Sequence, residues 1–108
     1  MEIIKGGVTA PKGFKASGIH VGLRRNVEKK DLALIYSDVL CNGAAVYTQN
    51  KVKGNPIYVT KDHLKDSKAQ AIIVNSANAN TFNGKEGLIN AYKMAEFTAN
   101  ALNIKKED

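Results

Sequence analysis

Asparagines at positions 75, 78 and 80, with Ser76 and Ala77 after the first, follow directly on the apolar run Ala71-Ile72-Ile73-Val74. A primary amide donates and accepts hydrogen bonds at once, so amides placed where a strand ends can grip a polar ligand. The same side chains tolerate left-handed backbone and form Asx-turns, which suits an irregular crossover whose missing main-chain bonds they replace. The chain holds eleven asparagines in 108 residues, so part of the cluster is compositional. Asn75, Asn78 and Asn80 are therefore candidates for contacting a substrate or for supporting the loop from behind.

The other reactive types are few. His20 and His63 are the only histidines, and either could act as a general base, although a lone His at a strand edge or in a polar turn is the usual surface residue. Cys41 is the only cysteine, which rules out an intrachain disulfide or a multi-cysteine metal site, and it has no base beside it in sequence. No Gly-x-x-x-x-Gly-Lys, Gly-x-Gly-x-x-Gly, His-Glu-x-x-His or Gly-x-Ser-x-Gly pattern occurs, so the standard nucleotide, zinc and serine-hydrolase chemistries have no motif here. The expected set of metals and cofactors is empty.

Elements must position the asparagines. Alternation at Ile19, Val21 and Leu23 predicts a first strand after a turn at 11–13, and residues 32–36 a second strand, apolar on both faces. Asn42-Gly43 reads as a turn leading to a third strand at 44–48. Residues 56–60 read as a fourth strand with Pro56 at its first position, and 61–66 as one or two helical turns. Residues 70–74 form the fifth strand, the most apolar and so expected to be central. From 85 to 104 the period changes, with Leu88, Tyr92, Ala95, Ala99 and Leu102 on one helical face, Asn83 as N-cap and Glu86 as its capping-box partner.

Strands followed by one amphipathic helix predict an α/β (α+β) layered fold. One helix cannot cover both faces of such a sheet, and the doubly apolar strands predict that part of the core comes from polypeptide outside these residues. A chain of 108 residues with 44% apolar and 24% charged residues has the composition of a soluble domain. Sixteen Lys and Arg against ten Asp and Glu give +6, but the basic residues are scattered, and the run Glu28-Lys29-Lys30-Asp31 reads as a solvated turn. A lysine-rich surface is expected, without a nucleic-acid partner. The start at Met1-Glu2 has no apolar or Arg-rich leader and no apolar run is long enough to span a bilayer, so cytoplasmic localisation is expected.

Five segments, in order and spacing, carry a resemblance: Gly7-Val-Thr-Ala-Pro-Lys-Gly-Phe-Lys-Ala16, Asp31-Leu-Ala-Leu-Ile, Ser37-Asp38-Val39, Ala45-Val-Tyr-Thr-Gln-Asn-Lys-Val-Lys53 and Val74-Asn-Ser-Ala-Asn-Ala-Asn80. Together they resemble the N-terminal part of the first subunit of the bifunctional ornithine acetyltransferase/N-acetylglutamate synthase (ArgJ) family of arginine biosynthesis. The resemblance implies a DmpA/ArgJ-like α/β sandwich of which residues 1–108 are a fragment rather than a complete domain. It also implies a precursor that cuts itself at an Ala-Thr bond, with this chain held to the rest of its subunit and to the second subunit as a hetero-oligomer of cleaved chains. The freed threonine takes acetyl from N-acetylornithine and passes it to glutamate in a ping-pong cycle, and acetyl-coenzyme A is a further candidate donor for the parent enzyme.

The threonines at 9, 48, 60, 81 and 98 follow Val, Tyr, Val, Asn and Phe, so this chain holds no such bond and no nucleophile of that kind. The oxyanion Thr-Gly pair of the family is also missing. By the resemblance the fragment alone is inactive, and the rival reading is a self-sufficient module that captures a small polar metabolite with loop 75–83. The chain departs from the family's Val-Asn-Ser-Gly-Asn-Ala-Asn-Ala-Cys-Thr-Gly at Ala77, Thr81, Phe82 and Asn83, and has Leu40 where a Pro is usual. If position 77 needs φ > 0, alanine is strained there.

Overall fold

The computed structural model describes residues 3–108. Met1 and Glu2, read above as a leaderless start, lie outside the described residues. The order of elements is β1 (Phe14–Ile19), β2 (Leu32–Asn42), α1 (Asn55–His63), a 3₁₀ turn (Leu64–Asp66), β3 (Lys68–Asn75) and α2 (Gly84–Leu102). The α/β class is as expected, but among the described residues three strands replace five and two helices replace one.

The strands form one antiparallel sheet in the order β1-β2-β3. Phe14 pairs with Ser37 and Ile19 with Leu32, while Leu32 pairs with Asn75 and Tyr36 with Ala71. Side chains alternate across a strand, so this register places Ile19, Leu32, Leu34, Ala71 and Ile73 on one face, and Phe14, Ala33, Ile35, Ile72 and Val74 on the other. The first face turns toward α2, where Phe97, Thr98 and Leu102 lie over Ile19, Leu34 and Ile73. No described element covers the second face. Ile72 and Val74 there are 55% and 49% exposed.

Each departure from the predicted elements has a local cause. Residues 56–60 are helical because Pro56 sits at the start of α1, where its missing N–H is harmless and its φ is already helical. Val59 is the buried residue of that helix, and packing overrides the β-branched preference of Ile57 and Val59. The first strand lies at 14–19 and not 19–23, because the main chain after Ile19 turns to serve a buried carboxylate described below. β2 runs on past residue 36 to Asn42, into the turn expected at Asn42-Gly43, with a register shift between Tyr36 and Cys41, and residues 44–48 join no described strand. β3, expected in the middle, is an edge strand among the described residues.

α2 spans nearly the predicted residues. Asn83 is its N-cap residue, but its side chain caps nothing and the capping box with Glu86 does not form. The C-terminus closes as a Schellman motif: Asn103 adopts φ 55°, its N–H donates to the Asn100 carbonyl, and the N–H of Ile104 donates to the Ala99 carbonyl. Among the described residues no helix is long and apolar enough to cross a membrane.

The core is thin. Among the described residues Val59 and Ala99 are the buried apolar side chains, and no large side chain is fully enclosed. The accessible surface is 8410 Å². A self-contained protein of this mass exposes about 5,900 Å², leaving an excess of about 2,500 Å². The radius of gyration, 14.9 Å, is likewise above the roughly 13 Å of a compact domain this size.

Candidate functional site: an amide-locked loop

β3 delivers the chain to Asn75, and residues 76–83 form the crossover to α2. Asn75 Nδ2 donates to the Asn78 carbonyl at 3.2 Å, a side-chain-to-main-chain bond that folds the loop back on itself. Asn78 is exposed, and its carboxamide takes no part in the hydrogen bonds found among the described residues. Asn80 is half-buried and is the centre of the arrangement. Its Oδ1 accepts from Asn55 Nδ2 at 2.9 Å and its Nδ2 donates to the Gly87 carbonyl at 2.7 Å. The main chain repeats the link, with the Asn55 N–H donating to the Asn80 carbonyl at 2.8 Å and Gly54 forming a bridge with Thr81. Asn83 Nδ2 donates to the Ala79 carbonyl at 3.2 Å.

One amide thus ties three pieces together: the start of α1, the loop, and the first turn of α2. Gly87 is part of the lock, since a Cβ there would overlap the amide groups of both Asn55 and Asn80. Sequence reasoning found Asn75, Asn78 and Asn80 and missed Asn55 and Gly87. The structure brings Asn75 and Asn78 together and joins Asn80 to Asn55, 25 residues earlier.

The backbone of the loop is left-handed at Ala77 (φ 68°) and at Phe82 (φ 63°). The first meets the condition set above for strain at an alanine that replaces a glycine. The second is unusual because a bulky side chain is held in that conformation while 91% exposed.

A second lock lies beneath the loop. Asp31, read above as part of a solvated turn, is only 2% exposed. Its carboxylate accepts the N–H groups of Val21 at 2.7 Å and Arg24 at 2.9 Å, and His20 Nδ1 stands 3.1 Å away. Burial pushes this carboxyl up, but the Val21 and Arg24 amides and the nearby His20 offset it, and the net direction is below the usual carboxylate range. The Asp31 carbonyl accepts the Ser76 N–H at 2.9 Å, and Arg24 Nη2 donates to Ser76 Oγ at 2.9 Å. Loop 20–31 is therefore fastened to the first residue of the Asn crossover. Composition and charge pattern do not distinguish Asp31 from its exposed neighbours Glu28, Lys29 and Lys30.

The remaining candidates stand apart from the loop. His63 is half-buried with its ring 5.7 Å from that of Tyr92, whose hydroxyl donates to Asp62 at 2.9 Å. Tyr92 thus leaves the core face of α2 to bridge the two helices. The Asp62 carboxyl is held below its usual range by hydrogen bonds from Lys65 and Tyr92. Cys41 Sγ lies 3.2 Å from Ser37 Oγ. The hydroxyls of Thr60 and Thr98 are spent on helix carbonyls four residues back, those of Pro56 and Met94. Among the described residues no group of three His, Cys, Asp or Glu side chains is placed to hold a metal.

Fold and loop together define an α/β chain whose polar crossover is fixed by its own amides. The chain belongs to the ArgJ family: the family model matches residues 15–108. It is 48% identical over 108 residues to the arginine biosynthesis bifunctional protein ArgJ of Caldanaerobacter subterraneus subsp. tengcongensis, covering 100% of this chain and 26% of that protein. The ArgJ of Listeria monocytogenes serotype 4b is 49% identical over 96% of this chain, again covering 26% of the relative. The crystal structure of ArgJ from Bacillus halodurans superposes with a TM-score of 0.90 at 45% identity, covering 94% of this chain and 53% of the solved one. Ornithine acetyltransferase from Mycobacterium tuberculosis, solved in complex with ornithine, gives 0.84 at 37% identity, covering 90% and 50%. The chain spans about a quarter of the length of the curated relatives it matches.

Proposed function

We propose that this chain is a structural part of an enzyme that transfers acetyl from N-acetylornithine to glutamate. The observation that supports it is the sustained match to ArgJ proteins, sequence and backbone together, through the amide-locked loop. In this reading the nucleophile is a threonine outside the chain. Its hydroxyl oxygen attacks the acetyl carbonyl carbon while its own α-amine takes the hydroxyl proton. Collapse of the tetrahedral intermediate breaks the C–N bond, the ornithine amine leaves with that proton, and acetyl stays as a threonine ester. The neutral amine of glutamate then attacks the ester, and the threonine oxygen leaves with a proton.

What the 108 residues contribute is placement. Asn80 with Asn55 fixes where α1 and α2 begin, and Asp31 with Arg24 fixes Ser76, so the crossover is rigid when the rest of the enzyme closes on it. Asn75 and Asn80 act as supports, and Asn78 is the amide of the three with capacity for a ligand. Acetyl-coenzyme A is a second donor candidate for the parent enzyme. The partners are the rest of the precursor and the two amino-acid substrates.

The rival reading, a self-sufficient binding module, is disfavoured by the thin core and the excess surface. The test is acetyl transfer from N-acetylornithine to glutamate by the purified chain and by a chimaera in which it replaces the matching quarter of the Caldanaerobacter relative. The chimaera should turn over and the chain alone should not. Turnover by the chain alone would sink the proposal.

A further inference from the structure

Two Asn-Gly steps occur in the chain, Asn42-Gly43 and Asn83-Gly84. In such a step the main-chain nitrogen of glycine can close a five-membered ring on the asparagine carboxamide, because no Cβ obstructs its approach. Both asparagines are exposed, so side-chain exposure does not separate them. The glycines do. Asn42 pairs with Lys68 at the end of β2, and the Gly43 N–H donates to the Ser67 carbonyl at 2.9 Å. Gly43 is also enclosed, since a Cβ there would stand 2.8 Å from Leu64 Cδ2 and 3.3 Å from Ala69 Cβ. Ring closure at Asn42 therefore has to unpair the end of the sheet first.

Asn83-Gly84 is built the other way. Gly84 is exposed, has open space where a Cβ would stand, and holds φ 58°, a conformation glycine adopts freely. Its N–H takes no part in the hydrogen bonds found among the described residues, as expected for the first amide of a helix. The Asn83 carboxamide is held through Nδ2 by two long contacts, 3.2 Å to the Ala79 carbonyl and 3.4 Å to Asn80 Oδ1. Asn83 stands at ψ 19°, and the rotation that carries the Gly84 nitrogen onto its side-chain carbon gives up one main-chain bond, from the Gly87 N–H to the Asn83 carbonyl at 3.2 Å. The positive end of the α2 dipole lies at the same place and favours the negative charge that the attacking nitrogen and the tetrahedral intermediate carry.

We propose that Asn83 is a site of spontaneous deamidation, while Asn42 is spared by the pairing around its glycine. Hydroxide takes the Gly84 N–H proton, the nitrogen attacks Asn83 Cγ, and the Cγ–Nδ2 bond breaks as ammonia leaves with a proton from water. Water then opens the cyclic imide. Addition at the former side-chain carbon gives aspartate, and addition at the main-chain carbonyl carbon gives isoaspartate. Asparagine and water become an acid and ammonia, with no oxidant or further reactant. Aspartate loses the donor to Ala79. Isoaspartate routes the main chain through Cβ and Cγ, one methylene longer, between Asn80 and Gly87, whose 2.7 Å bond is part of the amide lock. Either product loosens the crossover.

The test incubates the chimaera in the Caldanaerobacter relative at mildly alkaline pH, then digests it and maps the amide-to-acid mass gain by mass spectrometry. Asn83 should convert about tenfold or more faster than Asn42, because Asn42 reacts only when the strand end opens. In concentrated urea the purified chain should convert the two sites at similar rates. An isoaspartate-specific methyltransferase should label the product at position 83. The melting temperature of the chimaera should fall in step with the converted fraction. Asn83→Thr, which keeps a capping hydroxyl and has no carboxamide, should abolish both the mass gain and that decline. Equal conversion at the two sites in the folded chimaera overturns the proposal, as does an Asn83 that stays intact over the time in which the chain in urea converts. A converted chimaera that melts like the fresh protein overturns the loosening of the lock.

Discussion

Replacing Asn80 with alanine separates an amide that holds structure from one that holds substrate. Asn80 bonds Asn55 Nδ2 at 2.9 Å and the Gly87 carbonyl at 2.7 Å. Each is a neutral bond between part-buried groups, with a net worth of about 0.5–1.5 kcal/mol. Alanine removes both and leaves the Asn55 amide without its acceptor, which adds about 1 kcal/mol of desolvation left uncompensated. The contact from Asn83 Nδ2, at 3.4 Å, is near the limit of a hydrogen bond and adds little. The expected loss is about 2–4 kcal/mol, a large share of the 5–15 kcal/mol that keeps a domain folded.

Urea denaturation of the chimaera followed by circular dichroism measures this loss, and a cycle with Asn55→Ala isolates the pair, with an expected coupling of about 1 kcal/mol. Asn80→Asp sharpens the result, because it keeps the acceptor facing Asn55 and loses the donor to Gly87. It should be less stable than wild type, since the donor to Gly87 is lost and a carboxylate facing the Gly87 carbonyl is repelled. Kinetics supply the other half, with KM for either substrate near the wild-type value in whatever fraction remains folded. An unchanged urea midpoint together with a raised KM would refute the structural assignment and return Asn80 to the ligand site.

Ala77→Gly should stabilise the protein, since relief of left-handed strain is worth about 1–2 kcal/mol and the added freedom of the unfolded chain costs about 0.5–1 kcal/mol; a lower melting temperature would contradict the strain at φ 68°. Gly87→Ala should destabilise by about 1–3 kcal/mol although alanine favours helix, because its methyl displaces the two amides; thermal melts decide the sign. Asp31 has a folded pKa below its ordinary 3.8, so its stabilisation is complete above that value and is lost as pH falls through the lower, folded one. The stability gap between wild type and Asp31→Asn should therefore be widest above about pH 5 and close in acid, and a gap that stays constant down to pH 2 would show that the carboxylate's charge contributes nothing.

The sequence made the type and extent of α2 legible, because a 19-residue element repeats its period often enough to be read. The three asparagines were legible as a cluster, and the strain at Ala77 as a condition. Short segments were not. Residues 56–60 carry the same Ile, Tyr and Val that make a strand, and only the packing of Val59 and the position of Pro56 decide for a helix. Asp31 was illegible because its burial depends on a loop that folds over it, and the run of charges around it is the ordinary signature of a surface. Asn55 was missed for a related reason: its partner lies 25 residues away, and no local pattern announces a long-range amide pair.

The error over β3 is informative in a different way. Its residues are apolar on both faces, a pattern that belongs to the interior of a sheet, yet among the described residues it pairs with one strand only and has one face where Ile72 and Val74 stand half in solvent. A strand that looks central by composition and lies at the edge among the described residues fits the proposed reading of this chain as part of an enzyme. The surface excess of about 2,500 Å² on this one chain is large even beside obligate interfaces, which bury 2,000–5,000 Å² over both partners together. The polar loop fits the same account. The amides of Asn75, Asn80 and Asn83 are engaged within the chain, by Asn55, Gly87 and the loop's own carbonyls, so the crossover holds its shape by its own contacts, while the apolar sheet face with Ile72 and Val74 stands half in solvent.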